Sequence, residues 1–223
     1  LANKFPSIVT ILHTLFYQAW QEQAVLEYDS ETRDIYYTSV FNNYMQLACC
    51  IVMVLIPLSK FIIIFFMSKG YLDAYRYVGI LYLGSLFSSF SGFYGTGYIS
   101  AKDTKNAMKT TLVGAIINFV INLVLIPIIG IWAACISTVC GNIVVWMIRI
   151  KDTKKYFQIN INWKKFSSIM VINVIFTIGI CFANILETIL MLVVSVAISI
   201  LVNRDIVIKI FITIKEKIGG KVR

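Results

Sequence analysis

Residues 111–132 carry the sequence TLVGAIINFVINLVLIPIIGIW, which is apolar over the length of a membrane span. A transmembrane helix needs about 20 mostly apolar residues. The strands of a membrane β-barrel would instead alternate apolar and polar side chains over about ten residues. This stretch does not alternate, and neither do residues 49–57 or 188–202. The pattern therefore predicts helices that cross a membrane.

The composition of the whole chain agrees with that prediction. Of its 223 residues, 59% are hydrophobic and only 14% are charged, and the mean hydropathy is +0.81. A soluble domain has roughly 45–50% apolar and about 25% charged residues. These values exclude a disordered chain, a collagen and a disulfide-stapled secreted domain. We expect an all-α polytopic membrane protein, because only helices and closed barrels satisfy their backbone groups in lipid.

Hydropathy divides the chain into seven predicted spans and a basic tail. The predicted spans cover residues 5–26, 36–58, 74–99, 107–126, 131–148, 166–183 and 188–202. Prolines 57 and 127 are expected to end the second and fourth spans, and residues 61–67 are expected to form a separate short piece at the interface. Residues 1–202 would thus form a transmembrane lobe. Residues 203–223 would form an amphipathic cytoplasmic helix on the membrane surface. Because the chain begins with Leu1, we expect it to be part of a longer protein.

The net charge of +9 comes from basic residues that cluster between the apolar runs. Clustering of this kind is typical of cytoplasmic loops rather than of a nucleic-acid-binding surface. Most lysines and arginines fall in one set of alternate loops, including residues 149–165, and in the tail. The sequence therefore predicts a cytoplasmic C-terminus, and we expect no nucleic-acid partner.

No set of residues suggests catalysis, a metal site or a cofactor. The five cysteines all lie within apolar runs, and His13 is the only histidine, which argues against a histidine-based metal site. A Ser/His/Asp set and a pair of carboxylates within a shared span are also lacking from the sequence. We therefore expect a protein that is not an enzyme.

Polar residues within the first span form one helical stripe: Thr10, His13, Tyr17 and Gln21 are separated by three, four and four residues. Polar groups at membrane depth are costly and are functional candidates by default. We expect the stripe to face either a hydrated substrate cavity or a neighbouring helix to which it hydrogen-bonds.

Two further polar sets have a structural and a functional interpretation. Gly114, Asn118 and Asn122 are spaced by four residues, which suits close helix packing with amides bonding across, although ligand binding is the alternative. Asp73 and Arg76 at the start of the third span favour an ion pair on the helix surface. Arg76 is alternatively a cavity residue that binds a phosphate or an acidic sugar.

Residues 114–135 resemble a pattern found in the polysaccharide flippases of the multidrug/oligosaccharidyl-lipid/polysaccharide exporter superfamily. The family's C-terminal half carries a similar G-A-x-x-N-x-x-x-N…I-P-x-x-G-x-x-G-A-A. This chain has Ala133 where a glycine is usual and Cys135 where an alanine is usual, and both remain small. Residues 2–6 with 16–21, and residues 71–81 with 102–105, are also similar to stretches of that half.

The resemblance implies the C-terminal lobe of a two-lobed transporter in a bacterial inner membrane. Its implied substrate is an undecaprenyl-diphosphate-linked oligosaccharide, which such proteins move to the outer leaflet by alternating access. Its implied partners are that lipid-linked sugar, membrane lipid and an N-terminal lobe. Two alternatives remain open at this point: a multidrug or cation antiporter of the same superfamily, and a membrane scaffold subunit that transports nothing.

Overall fold

The computed structural model describes residues 4–67 and 69–204, and these residues contain seven α-helices. The predicted amphipathic tail lies outside the described residues from position 205 onward. The helices are α1 (Pro6–Leu26), α2 (Arg33–Phe66), α3 (Tyr75–Ser100), α4 (Thr104–Ile129), α5 (Ile131–Asp152), α6 (Trp163–Phe182) and α7 (Ile185–Val202). The all-α prediction is confirmed for this part of the chain.

Five of the helices, namely α2, α4, α5, α6 and α7, are long and apolar enough to cross a membrane. That number is compatible with a multi-pass membrane protein. The seven predicted spans are not confirmed, because α1 and α3 are long enough but are not apolar enough to be counted as spans. Polar residues account for this in α1, which carries His13, Gln18, Gln21, Glu22 and Gln23.

The prediction that prolines end the second and fourth spans is wrong. Helix α2 continues through Pro57 to Phe66, so residues 61–67 are not a separate interfacial piece. Its 34 residues are about 51 Å long at 1.5 Å per residue, well beyond the hydrocarbon thickness of about 30 Å. Helix α4 likewise continues past Pro127. A proline is tolerated inside a membrane helix because neighbouring helices, nearby side chains and small backbone adjustments satisfy the backbone groups that it frees.

Helix α4 ends at Gly130, where the backbone reverses within a single residue. Gly130 has φ 56° and ψ −129°, a conformation that side chains with a Cβ rarely adopt, and its N–H donates to the Ile126 carbonyl at 2.9 Å. Helix α5 begins at the next residue. Gly130 therefore makes α4 and α5 a tight antiparallel hairpin.

Helix α2 organises the packing of the C-terminal helices. Both α6 and α7 pack on α2, and two α2 side chains reach the C-terminal ends of these two helices. Gln46 donates to the Val202 carbonyl at 2.5 Å, and the buried Lys60 ammonium donates to the Ile180 and Ala183 carbonyls at 2.9 and 2.5 Å. The last four carbonyls of a helix lack partners within the helix. The two side chains therefore satisfy helix ends that would otherwise be buried without partners.

An aromatic core joins α1, α2 and α3. The Trp20 ring stacks on Phe93 with centroids 4.2 Å apart, and Phe41 meets Phe93 edge-on at 5.0 Å. The Trp20 indole N–H donates to the Thr96 hydroxyl at 3.0 Å. This core fixes α1 against α3. Helix α3 packs in turn on α5, and α5 packs on α4.

Helix α4 is the most exposed of the long helices, since only Thr110 and Gly114 are buried. Large apolar side chains project from it, for example Phe119 and Leu123, which are 65% and 67% exposed. An apolar surface of this extent is compatible with contact to lipid or to another protein surface.

Candidate functional site: a polar cavity among four helices

A cavity of about 580 Å³ lies among α1, α3, α4 and α5. Its lining combines a guanidinium, an imidazole, amides and hydroxyls with small residues. The lining residues are His13, Ser88, Ser91, Gly92, Thr111, Gly114, Ala115, Asn118, Gly141, Asn142, Val145 and Arg149. None of these is acidic. The cavity is therefore polar and carries the positive charge of Arg149.

Two glycines bring α4 and α5 into backbone contact at one wall of the cavity. A Cβ on Gly114 would lie 2.2 Å from Val145 Cγ2, and a Cβ on Gly141 would lie 2.9 Å from the Gly114 carbonyl oxygen. Neither distance is possible for a real side chain. Close approach of this kind is typical of small residues in membrane helix pairs.

His13 projects from α1 towards α3 and is held by a hydrogen bond. Its Nδ1 lies 2.6 Å from the Tyr44 hydroxyl, and its ring centroid lies 5.6 Å from that of Tyr17. The other ring nitrogen, Nε2, lies against Gly92, where a Cβ would approach to 2.7 Å. The histidine is thus both a packed hydrogen-bonding group and a cavity residue.

Arg149 lies in the last turn of α5 and lines the cavity. Its guanidinium donates to the Ser91 carbonyl at 2.8 Å, to the Thr110 hydroxyl at 3.1 Å and to the Thr111 hydroxyl at 3.0 Å. All these acceptors are neutral, and no salt bridge reaches Arg149 within the part of the chain that the structure describes. The charge is therefore held in place but not neutralised.

Amide side chains from α4 and α5 complete the polar lining. Asn118 donates to the Thr138 hydroxyl at 3.4 Å and accepts from Asn122 at 2.9 Å. Asn142 of α5 donates to the Gly84 carbonyl of α3 at 3.0 Å. Asn118 therefore lines the cavity and also contacts the neighbouring helix, so the packing and ligand-binding interpretations of this residue are compatible.

Only His13 of the predicted α1 stripe lines the cavity. Thr10 is exposed and donates to the Pro6 carbonyl of its own helix at 3.3 Å. Tyr17 and Gln21 are half-buried, and Tyr17 lies beside His13. The structure therefore brings His13 and Tyr17 together near the cavity but leaves the rest of the stripe outside its lining.

Arg76 lies at the N-terminal end of α3, about 18 Å along the helix from Ser88, and does not line the cavity. Its Nε is 3.5 Å from Asp73 Oδ1, and its side chain is 50% exposed. The structure thus contains the surface ion pair that the spacing of the two residues predicts.

Arg149 and Asn142 line the cavity but were not among the predicted site residues. Arg149 entered only as one of the basic residues that set the orientation. The sequence did indicate that these residues share a surface, since one face of α5 carries four residues at helical spacing: Gly141, Asn142, Val145 and Arg149. A small residue, an amide and a cation on one face of an apolar helix predict a surface that does not face lipid.

Comparison with known proteins identifies no relative: no protein-family model, no curated protein and no solved structure matches the chain.

Proposed function

We propose that the chain is the C-terminal lobe of a flippase for lipid-linked oligosaccharides. In this proposal the lobe lies in a bacterial cytoplasmic membrane with its C-terminus inside. It moves an undecaprenyl-diphosphate-linked repeat unit to the outer leaflet together with an N-terminal lobe. The motif resemblance supports the family, and the cavity supports the chemistry of the substrate.

The observation that carries the proposal is the un-neutralised Arg149 at the wall of a polar cavity. A diphosphate carries negative charge, and a guanidinium binds phosphate oxygens through paired N–H donors. The surrounding amides and hydroxyls suit the hydroxyl groups of a sugar. Moving each hydroxyl group from water into hydrocarbon without a hydrogen-bond partner costs several kcal/mol of free energy. A cavity that replaces these lost hydrogen bonds lowers the barrier to crossing.

The exposed face of α4 supports a two-lobed arrangement. The cavity is open, and α1 and α4 are not among the helix pairs that pack on each other. In our proposal the N-terminal lobe closes the cavity on this side, and alternating access follows from two packings of the lobes. Lipid contacts the remaining apolar surface.

An antiporter of drugs or cations is less well supported by the same cavity. A site for a cationic substrate needs acidic side chains at membrane depth. The cavity lining contains none and carries a cation instead. The charge of the cavity therefore favours an anionic substrate.

Substitution of Arg149 in the two-lobed protein tests the proposal. In cells that depend on the parent gene for surface glycan, Arg149→Gln is expected to abolish glycan export, and Arg149→Lys is expected to retain part of it. The matched control is Arg76→Gln, which removes an arginine that is exposed and outside the cavity. Normal export by Arg149→Gln at equal protein levels would refute the proposal.

Thiol labelling tests whether α1 borders the translocation path. In a cysteine-free two-lobed protein, a single cysteine at position 13 is expected to react with a water-soluble reagent, and one at position 17 beside it to react more weakly. Cysteines at the apolar positions 8, 12 and 15 serve as controls. Equal reactivity of the controls would assign the stripe to helix packing. A cysteine near Lys155 labelled only from outside would reverse the proposed orientation.

A further inference from the structure

A second cavity, of about 340 Å³, lies between α3, α5 and the segment that leads to α6. Its polar lining comes from Tyr94, Lys154, Gln158, Asn160 and Trp163. This volume is roughly ten times the share of a water molecule in liquid, about 30 Å³. The cavity therefore has room for a phosphate group and an attached glycerol, and no residue of the first cavity lines it.

Lys154 lines this second cavity, and three further lysines flank the segment 157–162 in the sequence. Lys155 is 3.5 Å from both Asp103 and Asp152, but no salt bridge reaches Lys154, Lys164 or Lys165 in the described part of the chain. Lys164 and Lys165 are exposed in the first turn of α6. The N-terminus of a helix itself carries a partial positive charge. Lys164 and Lys165 add to this charge, and no acidic side chain compensates them in the described part of the chain.

Donors without protein acceptors also border the second cavity. The N–H groups of Asn160 and Asn162 donate to Thr38 and Asn42 of α2 at 3.1 and 2.9 Å. Ile159 and Ile161 alternate with these two asparagines along the chain and also line the cavity. Their N–H groups have no acceptor among the described residues. The Tyr94 hydroxyl is buried and unpartnered as well. An anion with several oxygen atoms is the ligand that would satisfy such donors.

We propose that this cavity binds the phosphate headgroup of an anionic membrane phospholipid. Basic pockets between transmembrane helices at the cytoplasmic side suit such headgroups. The half-exposed Trp163 has the amphipathic ring that is enriched at membrane interfaces. Lys154 pairs with the phosphate, and the lipid ties the segment 157–162 to the leaflet. This role is independent of the substrate that the first cavity takes.

Native mass spectrometry of the full chain in detergent tests the proposal. Phosphatidylglycerol and phosphatidylcholine with the same acyl chains are added separately, and the retained lipid is measured. We expect retention of phosphatidylglycerol and little retention of phosphatidylcholine. Lys154→Gln should weaken phosphatidylglycerol binding about five-fold. Tyr94→Phe should weaken it about two- to ten-fold.

Lys105→Gln is the matched control, because Lys105 is an exposed first-turn lysine of α4 outside the second cavity. An equal loss with Lys105→Gln, or equal retention of the two lipids, would overturn the proposal. Unchanged binding by Tyr94→Phe would place the headgroup outside the cavity and overturn it too. Displacement of the lipid by millimolar inorganic phosphate would assign the site to a soluble anion instead.

Discussion

The contact between α4 and α5 permits a sharp test of the wall of the first cavity. Gly114→Ala would place a Cβ 2.2 Å from Val145 Cγ2, whereas ordinary contacts begin at 3.4 Å. One of the two atoms must therefore move by at least about 1.2 Å. Valine has one strongly preferred rotamer in a helix, so its methyl group cannot simply rotate away. The Gly141 carbonyl oxygen, 3.2 Å from the new Cβ, restricts movement towards α5.

The expected magnitude follows from two opposing effects. Overpacking of a tight contact lowers the free energy of unfolding by about 1–3 kcal/mol. Alanine has a higher helix propensity than glycine by about 0.8–1.0 kcal/mol, which offsets part of that loss. Gly114→Ala alone should thus destabilise the protein by up to about 2 kcal/mol. In a Val145→Ala background the clashing methyl group is absent, and the same change should be neutral or stabilising by up to about 1 kcal/mol.

The measurement is a double-mutant cycle on the purified chain. Unfolding in mixed micelles is followed by the intrinsic fluorescence of the four tryptophans, two of which lie in α5. We expect a coupling energy of about 1–3 kcal/mol between Gly114 and Val145. Gly179→Ala is the control, because its Cβ would lie at an ordinary 3.6 Å from Met191 Cε. Additive effects of the two substitutions within about 0.5 kcal/mol would refute the close contact.

Three further predictions follow from contacts outside this pair. Lys60→Met should lower the free energy of unfolding by about 1–3 kcal/mol because it leaves buried helix-end carbonyls without donors, whereas Lys164→Met should not; equal melting of the two variants would contradict the capping role. The pKa of Asp103 is lowered to about 2, mainly because its carboxylate accepts a hydrogen bond from the Tyr156 hydroxyl. The ionised carboxylate therefore stabilises the folded protein above pH 3.8, and this contribution should disappear as the pH falls from 3.8 towards 2. A melting curve of Asp103→Asn should lack that part of the pH dependence, and an unchanged dependence would show that another group causes it. The Asn122 amide donates to Asn118 within α4 and not across helices as the spacing had predicted, so Asn122→Leu should destabilise the protein by only about 0.2–0.5 kcal/mol, which thermal unfolding would measure.

The positions of the helices could be predicted from the sequence because each helix depends mainly on its own residues. A run of about 20 apolar residues satisfies its own backbone and needs no distant contact to be recognised. The errors fell at prolines, where local rules predict a break. In α2 the residues around Pro57 are buried against other helices, and this packing keeps the helix continuous. No local pattern reports that packing.

The site was harder to predict because it depends on how helices are arranged. Thr10 and His13 share a helical face in the sequence, but only His13 meets α3 across the cavity. Arg149 looks like a loop cation because it lies near the end of an apolar run. Its place at the cavity is fixed by hydrogen bonds to Ser91 and Thr110, which are 58 and 39 residues away in the chain. A single sequence does not specify which helices enclose a cavity.

Lys60 and Arg149 both donate to neutral acceptors from within a helix, but they differ in what they satisfy. Lys60 donates to carbonyls at the end of α6, which have no partners within their own helix. Its charge therefore completes the fold, and the aromatic ring of Tyr75 covers it at 4.2 Å. Arg149 donates to hydroxyls and to the Ser91 carbonyl, which lies well inside α3, where helix carbonyls already accept backbone bonds. The fold does not need that guanidinium to satisfy a helix end. A cation that is held by neutral groups beside an open cavity, and that completes no helix, is the better candidate for binding an anion.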